Sequence, residues 1–269
     1  HSWYRRQRQM CIRDRRYRIE KHVVDVSQRK YSNLDPPGDR PTYDMLQINN
    51  EYLGYKGIVY TPIDMPILEV DTQQVYDLRT SEALLKEYPG TTFGCDHGAG
   101  EVLFLKHNHF NEPEMDGEWY GWVEKEMPHV KEFIEKLPYK SICQLSFVAP
   151  PGPTVAHYDQ PLNATPLMIP QSPSCYRIRW SHVTKPEEEV FYLSRDSEAT
   201  KIYPMLPAET NTFVYDGSVW EHGADKGFPM YERCQIIISG ILDIEKHHAL
   251  LDKSIEKYKD FVIYDEDFR

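Results

Sequence analysis

From Ser141 onward the chain breaks into short segments of alternating or β-branched character, "SICQLSFVAP", "CYRIRWSHV", "EEVFYLS", "ATKIYPM", "NTFVYDG" and "ERCQIIISGILD", with Gly, Pro, Asp and Ser between them. Regular short strands punctuated by turn residues predict a sandwich or barrel. In the last segment, Cys234 and Ile236 share one face, and Arg233, Gln235 and Ile237 share the other. "VFYLS" and "TKIYP" around "RDSEA" predict a hairpin. Upstream, "PHVKEFIEKLP" predicts a packing helix: Val130, Phe133, Ile134 and Leu137 recur at helical spacing, Pro128 suits the first turn and Pro138 ends it. A final helix is predicted over "KHHALLDKSIEKYKDF", with Leu251, Ile255 and Tyr258 on one face. Residues 17–140 are weakly periodic, with a strand-like "KGIVYTP" and a helical "SEALLKEY", and are predicted to wrap a core without forming one. The pattern therefore predicts a mainly β chain. Its core, residues 141–244, is expected to be an antiparallel double-stranded β-helix (jelly roll, cupin-like) with flanking helices, with 17–140 a mixed α/β wrapping region and 245–269 a C-terminal helix and tail.

Charge changes the picture only once the N-terminus is set aside. The opening "HSWYRRQRQMCIRDRR" holds six arginines and one acid and has no periodicity joining it to the rest. It resembles translated adapter-like sequence, and residues 1–16 are expected to be a non-native or disordered extension. Without it, 31 basic and 42 acidic residues become 25 and 41, a balance near −16. That acidity argues against general nucleic-acid binding, which depends on neutralising phosphates. With no long apolar run and no signal-peptide pattern, the chain is expected to be soluble and cytoplasmic, with no membrane partner. Five cysteines, Cys11, Cys95, Cys143, Cys175 and Cys234, without Cys-x-x-Cys spacing are expected to be reduced thiols.

The candidate chemistry begins in "AHYDQPLN". His157 and Asp159 stand two positions apart at the end of a predicted strand, where residues i and i+2 face the same way. A hydrogen-bonded surface pair would look the same. His222, in "YDGSVWEHGADKG", follows 65 positions later, beyond several predicted strands. Two histidines and a carboxylate on neighbouring strands form the facial triad of non-haem iron(II) oxygenases. Arg233 lies 11 residues past His222. Buried beside a metal, its planar fork would need a carboxylate partner; turned outward, it would make an ordinary surface pair.

"AHYDQPLN", "YRIRW", "FVYDGSVWEHGADK" and "ERCQIIISGILD" together resemble the aspartyl/asparaginyl β-hydroxylase-like branch of the 2-oxoglutarate- and Fe(II)-dependent oxygenases, over about residues 141–244. The resemblance implies that His157, Asp159 and His222 are the catalytic metal ligands, that Arg233 binds the distal carboxylate of 2-oxoglutarate, and that Arg179 assists at the cosubstrate. It implies Fe(II), 2-oxoglutarate and O2 as cofactor and cosubstrates. The implied reaction is hydroxylation of an amino-acid side chain in a peptide or protein, or of a related small molecule, with succinate and carbon dioxide as coproducts. Some members of that branch have glycine where this chain has Asp159, and many have a histidine where it has Ser181, leaving His182 to surface or supporting duty.

Other signals weigh less. His107 and His109, with Glu112 nearby, are a second metal candidate without a convincing third ligand. "FGCDHGAGEV" lacks a phosphate-loop lysine and reads as a loop. His247 and His248 read as a solvated helix start, and no nucleophile elbow surrounds Ser218. Trp180 and Trp220 are candidates for a pocket wall, or plain core. The rival function is a cupin-type metal-binding protein, or a lyase or isomerase without oxygen activation; Arg233 separates the two, since only the oxygenase needs a partner for a dicarboxylate. A structural assembly protein would leave the triad scattered. Neither a particular substrate nor an oligomeric state is specified by any motif.

Overall fold

The computed structural model describes residues 17–21, 55–94, 101–107, 109, 115–149, 153–157, 172–180, 188–195, 200–215, 220–225 and 234–268. It is mainly β, with two antiparallel sheets and few helices. Thirteen strands are seen among these residues: β1 (Tyr17–Lys21), β2 (Ile58–Pro62), β3 (Thr92–Gly94), β4 (Glu101–Phe104), β5 (Tyr139–Ala149), β6 (Thr154–His157), β7 (Ser172–Trp180), β8 (Phe191–Arg195), β9 (Thr200–Pro204), β10 (Thr212–Tyr215), β11 (Glu221–Ala224), β12 (Cys234–Leu242) and β13 (Ile263–Tyr264). The smaller sheet runs β1-β9-β8-β11-β6 and the larger β13-β2-β10-β7-β12-β5-β4-β3. From β5 to β12 the chain thus changes sheet at every step except β8 to β9. The predicted hairpin is β8–β9.

The larger sheet is buried on two sides for two different purposes. One face carries Leu145, Phe147, Tyr176, Ile178, Val214, Ile236 and Ile238, packed with the helical layer of Trp122, Val130, Phe133, Ile134 and Leu251. The other face turns Phe213 and Tyr215 toward Phe191, Leu193 and Ile202 of the smaller sheet. Period-two alternation sorts the side chains between the two cores. In β12, Cys234, Ile236 and Ile238 are buried while Gln235 and Ile237 are half-buried, as the sequence pattern predicts.

The helices are α1 (Thr72–Thr80), α2 (Glu82–Glu87), α3 (Gly121–Glu126), α4 (Pro128–Ile134) and α5 (Ile244–Lys257). Asp71 accepts from the Gln73 N–H at 2.9 Å and Ser81 from the Leu84 N–H at 3.3 Å, capping α1 and α2. Pro128 occupies the first turn of α4, where its missing N–H costs nothing.

Two expectations are corrected. Residues 17–140 do not merely wrap: Ile63, Leu103, Leu105, Trp122 and Met127 are fully buried, and β2, β3 and β4 extend the larger sheet. All five residues of β2 are buried, so the strand shows no alternation to read. His247 is not a solvated helix start but is wholly buried, its Nδ1 2.8 Å from the Tyr176 hydroxyl.

Helix α5 is pinned to the chain after β2. The Asp64 N–H donates to Ser254 Oγ at 2.9 Å, and the Asp64 carboxylate pairs with Lys253 at 2.8 Å and with Lys257. Those ammonium groups hold the Asp64 carboxyl below its usual range. A depressed folded-state pKa contributes stability that is present above the unfolded value of about 4 and lost as pH falls through the folded one. Acid titration of the wild-type chain should therefore show a loss of stability below about pH 4 that Asp64→Asn reduces, read by urea midpoints across pH.

Candidate functional site

The two candidate histidines, 65 positions apart in sequence, are direct partners. In the antiparallel pairing of β11 with β6, His222 is opposite His157. Opposed positions in such a pair lie on one side of the sheet, with Cβ atoms about 5 Å apart. The side is set by β8: His222 is opposite Leu193, which packs in the core between the sheets. Glu221, the neighbouring buried carboxylate, is opposite Ser194, and strand alternation places it on the other face.

His222 is 5% exposed. Its ring meets the edge of Tyr215 with centroids 4.9 Å apart and lies 6.4 Å from the Phe191 ring. Its Nδ1 is 3.4 Å from the carbonyl of Trp220. A carbonyl can only accept, so Nδ1 is the donor in that contact, the arrangement in which a neutral imidazole presents Nε2 to a metal. Trp220 is itself buried between the sheets, whereas Trp180 is on the helical side, its Nε1 donating to the Leu68 carbonyl at 2.7 Å. Trp180 is therefore no wall of this site.

The face of the larger sheet that looks toward His222 changes character along its width. At β2 and β10 it is aromatic, with Tyr60, Phe213 and Tyr215. At β7, β12 and β5 it is mixed: Arg177 and Arg179, then Gln235 and Ile237, then Ser146 and Val148. β12 is flanked on both sides by strands, yet Gln235 and Ile237 are half-exposed on this face.

Arg177 was not singled out by the sequence pattern. It is 3% exposed, donates from Nη2 to the Tyr215 hydroxyl at 3.0 Å, and so ties β7 to the aromatic ring on β10 that stands beside His222. Arg179 closes on Glu189 in a fork-to-fork pair, Nη1 to Oε1 at 3.0 Å and Nη2 to Oε2 at 2.7 Å. Burial works against its charge, but the Glu189 carboxylate holds the guanidinium above its ordinary value. Burial likewise pushes the neighbouring Tyr60 phenol far up, with Arg179 pulling the other way. Glu189 also accepts from the N–H groups of Val190 at 3.0 Å and Phe191 at 2.9 Å. Arg179, expected to assist at a cosubstrate, thus commits its two terminal nitrogens to Glu189. Glu189 stood in the strand-like "EEVFYLS" without being singled out, because nothing local discloses Arg179 as its partner.

Asp159, Arg233, Ser181, His182 and Glu112 lie outside the described residues. The ring of His107 stacks on Tyr120 at 4.1 Å, and among the described residues no group of three His, Cys, Asp or Glu is placed to hold a metal ion. Cys143 and Cys234 are free and buried; burial pushes the Cys234 thiol up to about 12, so it is not a ready thiolate ligand. No helix among the described residues is long and apolar enough to cross a membrane.

No family model matches the chain, and no curated protein matches it. Among solved structures, the chain is similar to one titled "Crystal Structure of EvdMO1", at 14% identity and a TM-score of 0.35, with 72% of this chain and 49% of that one covered. The chain thus spans about half the length of that protein, at a likeness too low to transfer a fold or an activity.

Proposed function

We propose that the chain is an iron(II)- and 2-oxoglutarate-dependent dioxygenase that hydroxylates an amino-acid side chain in a peptide or protein, or a related small molecule. The observation that carries this reading is the opposition of His157 and His222 on adjacent strands, on the side of the sheet that faces the inter-sheet space. The order of β5 to β12, β10-β7-β12-β5 over β9-β8-β11-β6, is that of a jelly roll and supports the double-stranded β-helix reading of the core.

The residues present fit the groups this function needs. His157, His222 and Asp159 would hold the metal, His222 through Nε2 with its Nδ1 donating to the Trp220 carbonyl. For a dicarboxylate, the larger sheet offers buried donors: Arg177, and Ser146 Oγ, which is buried and has no hydrogen-bond partner among the described residues. Buried polar atoms without partners are rare and call for an explanation such as a ligand. Arg233, two positions before Gln235, would take the distal carboxylate. Iron(II), with 2-oxoglutarate and dioxygen, supplies the power to hydroxylate an unactivated C–H bond. The protein's part is to orient and to exclude water: Phe191, Tyr215 and Trp220 would dry one side of the site.

Anaerobic addition of Fe(II) and 2-oxoglutarate should produce a visible metal-to-ligand charge-transfer band, and admitting air should release succinate. A folded protein that gives neither, but still binds a divalent metal, would be a cupin of another kind.

A further inference from the structure

We infer that Gly223 is a positioning residue, whose missing side chain lets a one-residue bulge in β6 bring His157, in place of Ala156, opposite His222. The inference rests on the metal site proposed above. Ala224 pairs with Thr154 and His222 pairs with His157. Between those pairs β11 has one residue, Gly223, and β6 has two, Val155 and Ala156. With regular pairing continued from Ala224 and Thr154, Gly223 would meet Val155 and His222 would meet Ala156. His157 would then stand one register away, and a one-residue slip moves a position to the opposite face. The extra residue cancels that slip. Bulges re-aim side chains in this way, and they concentrate beside active sites.

Gly223 makes the bulge possible by close approach. A Cβ there would lie 2.7 Å from the Thr154 carbonyl oxygen and 2.6 Å from the Tyr192 hydroxyl. The hydroxyl is the far end of a side chain, but the carbonyl is backbone of the bulged strand itself. Any side chain at 223 therefore pushes β6 away from β11 between the two pairs that define the register. The cost falls on the position of His157, the first paired residue beyond the bulge.

Cobalt(II) alone, added to the full chain, tests this without turnover. Gly223→Ala should weaken cobalt(II) binding about ten- to a hundredfold, the range for groups that orient metal ligands. Leu251→Ala, which opens a cavity in the remote helical layer, should lower the urea midpoint but leave cobalt(II) affinity within about twofold. Deleting Val155 removes the bulge yet keeps His157 opposite His222, and should retain the cobalt(II) spectrum. Unchanged affinity in folded Gly223→Ala, or a folded Val155 deletion that no longer binds, overturns the inference. If Gly223→Ala does not fold, the deletion decides. A wild-type chain with no cobalt(II) spectrum fails at the metal site itself and removes the basis for a positioning role.

Discussion

Replacing His222 with alanine should abolish the stabilisation that a divalent metal gives the chain. A ligand bound only by the folded state stabilises by RT ln(1 + [L]/Kd), about 2.7 kcal/mol at a hundredfold excess over Kd. Loss of a direct ligand should cost more than the roughly ten- to hundredfold seen for outer-shell partners, so the variant at the same metal concentration should show almost none of that increment. The apo protein should also weaken, because the imidazole fills space against Tyr215 and Phe191, and truncating such a side chain leaves a cavity worth about 1–3 kcal/mol. The two effects separate cleanly: melting curves with and without cobalt(II) read the metal increment, and the metal-free curve reads the cavity. His157→Ala should lose the increment as well, since its position opposes His222. A His222→Ala chain stabilised by cobalt(II) as much as wild type would remove the site.

Glu189→Ala should be among the most destabilising single substitutions in the chain. The carboxylate accepts from both terminal nitrogens of Arg179 and from two backbone N–H groups, with Arg179 and Glu189 both buried. Removing one partner of a buried pair leaves an uncompensated charge and costs about 3–5 kcal/mol. Against a total of about 5–15 kcal/mol that is a large share. The pair also crosses from β7 of one sheet to the start of β8 in the other, and the Arg18 guanidinium donates to the Glu189 carbonyl at 3.1 Å, so the loss should open one end of the sandwich. Arg179→Met combined with Glu189→Ala should lose less than Glu189→Ala alone, because the stranded charge goes too; the two orphaned N–H groups keep it below wild type. Urea unfolding of the four chains in a double-mutant cycle gives the coupling. A Glu189→Ala cost under about 1 kcal/mol, the worth of a surface pair, would show that the clasp does not hold the sheets.

Much of the fold was legible wherever one face of an element differed from the other. β12, α4 and the β8–β9 hairpin show it: Cys234, Ile236 and Ile238 alternate with half-buried neighbours, and Val130, Phe133 and Ile134 are buried along α4, which ends at Ile134, short of the Pro138 that the sequence marks as its stop. It was not legible where both faces are buried, as in β2, or where a polar residue is buried through a distant partner. His247 looked solvated because nothing near it in sequence discloses Tyr176, 71 residues away. Arg179 and Glu189, only 10 residues apart, gave no local sign of pairing across two sheets.

By itself the sequence determined the β-rich pattern and nominated His157, Asp159, His222 and Arg233 as a set, because residue type and period-two facing are local properties of a strand. Only the tertiary structure decided which residue stands opposite which. Register depends on pairing between distant segments, and here it turns on one extra residue in β6 beside a glycine too close to the neighbouring backbone to carry a side chain.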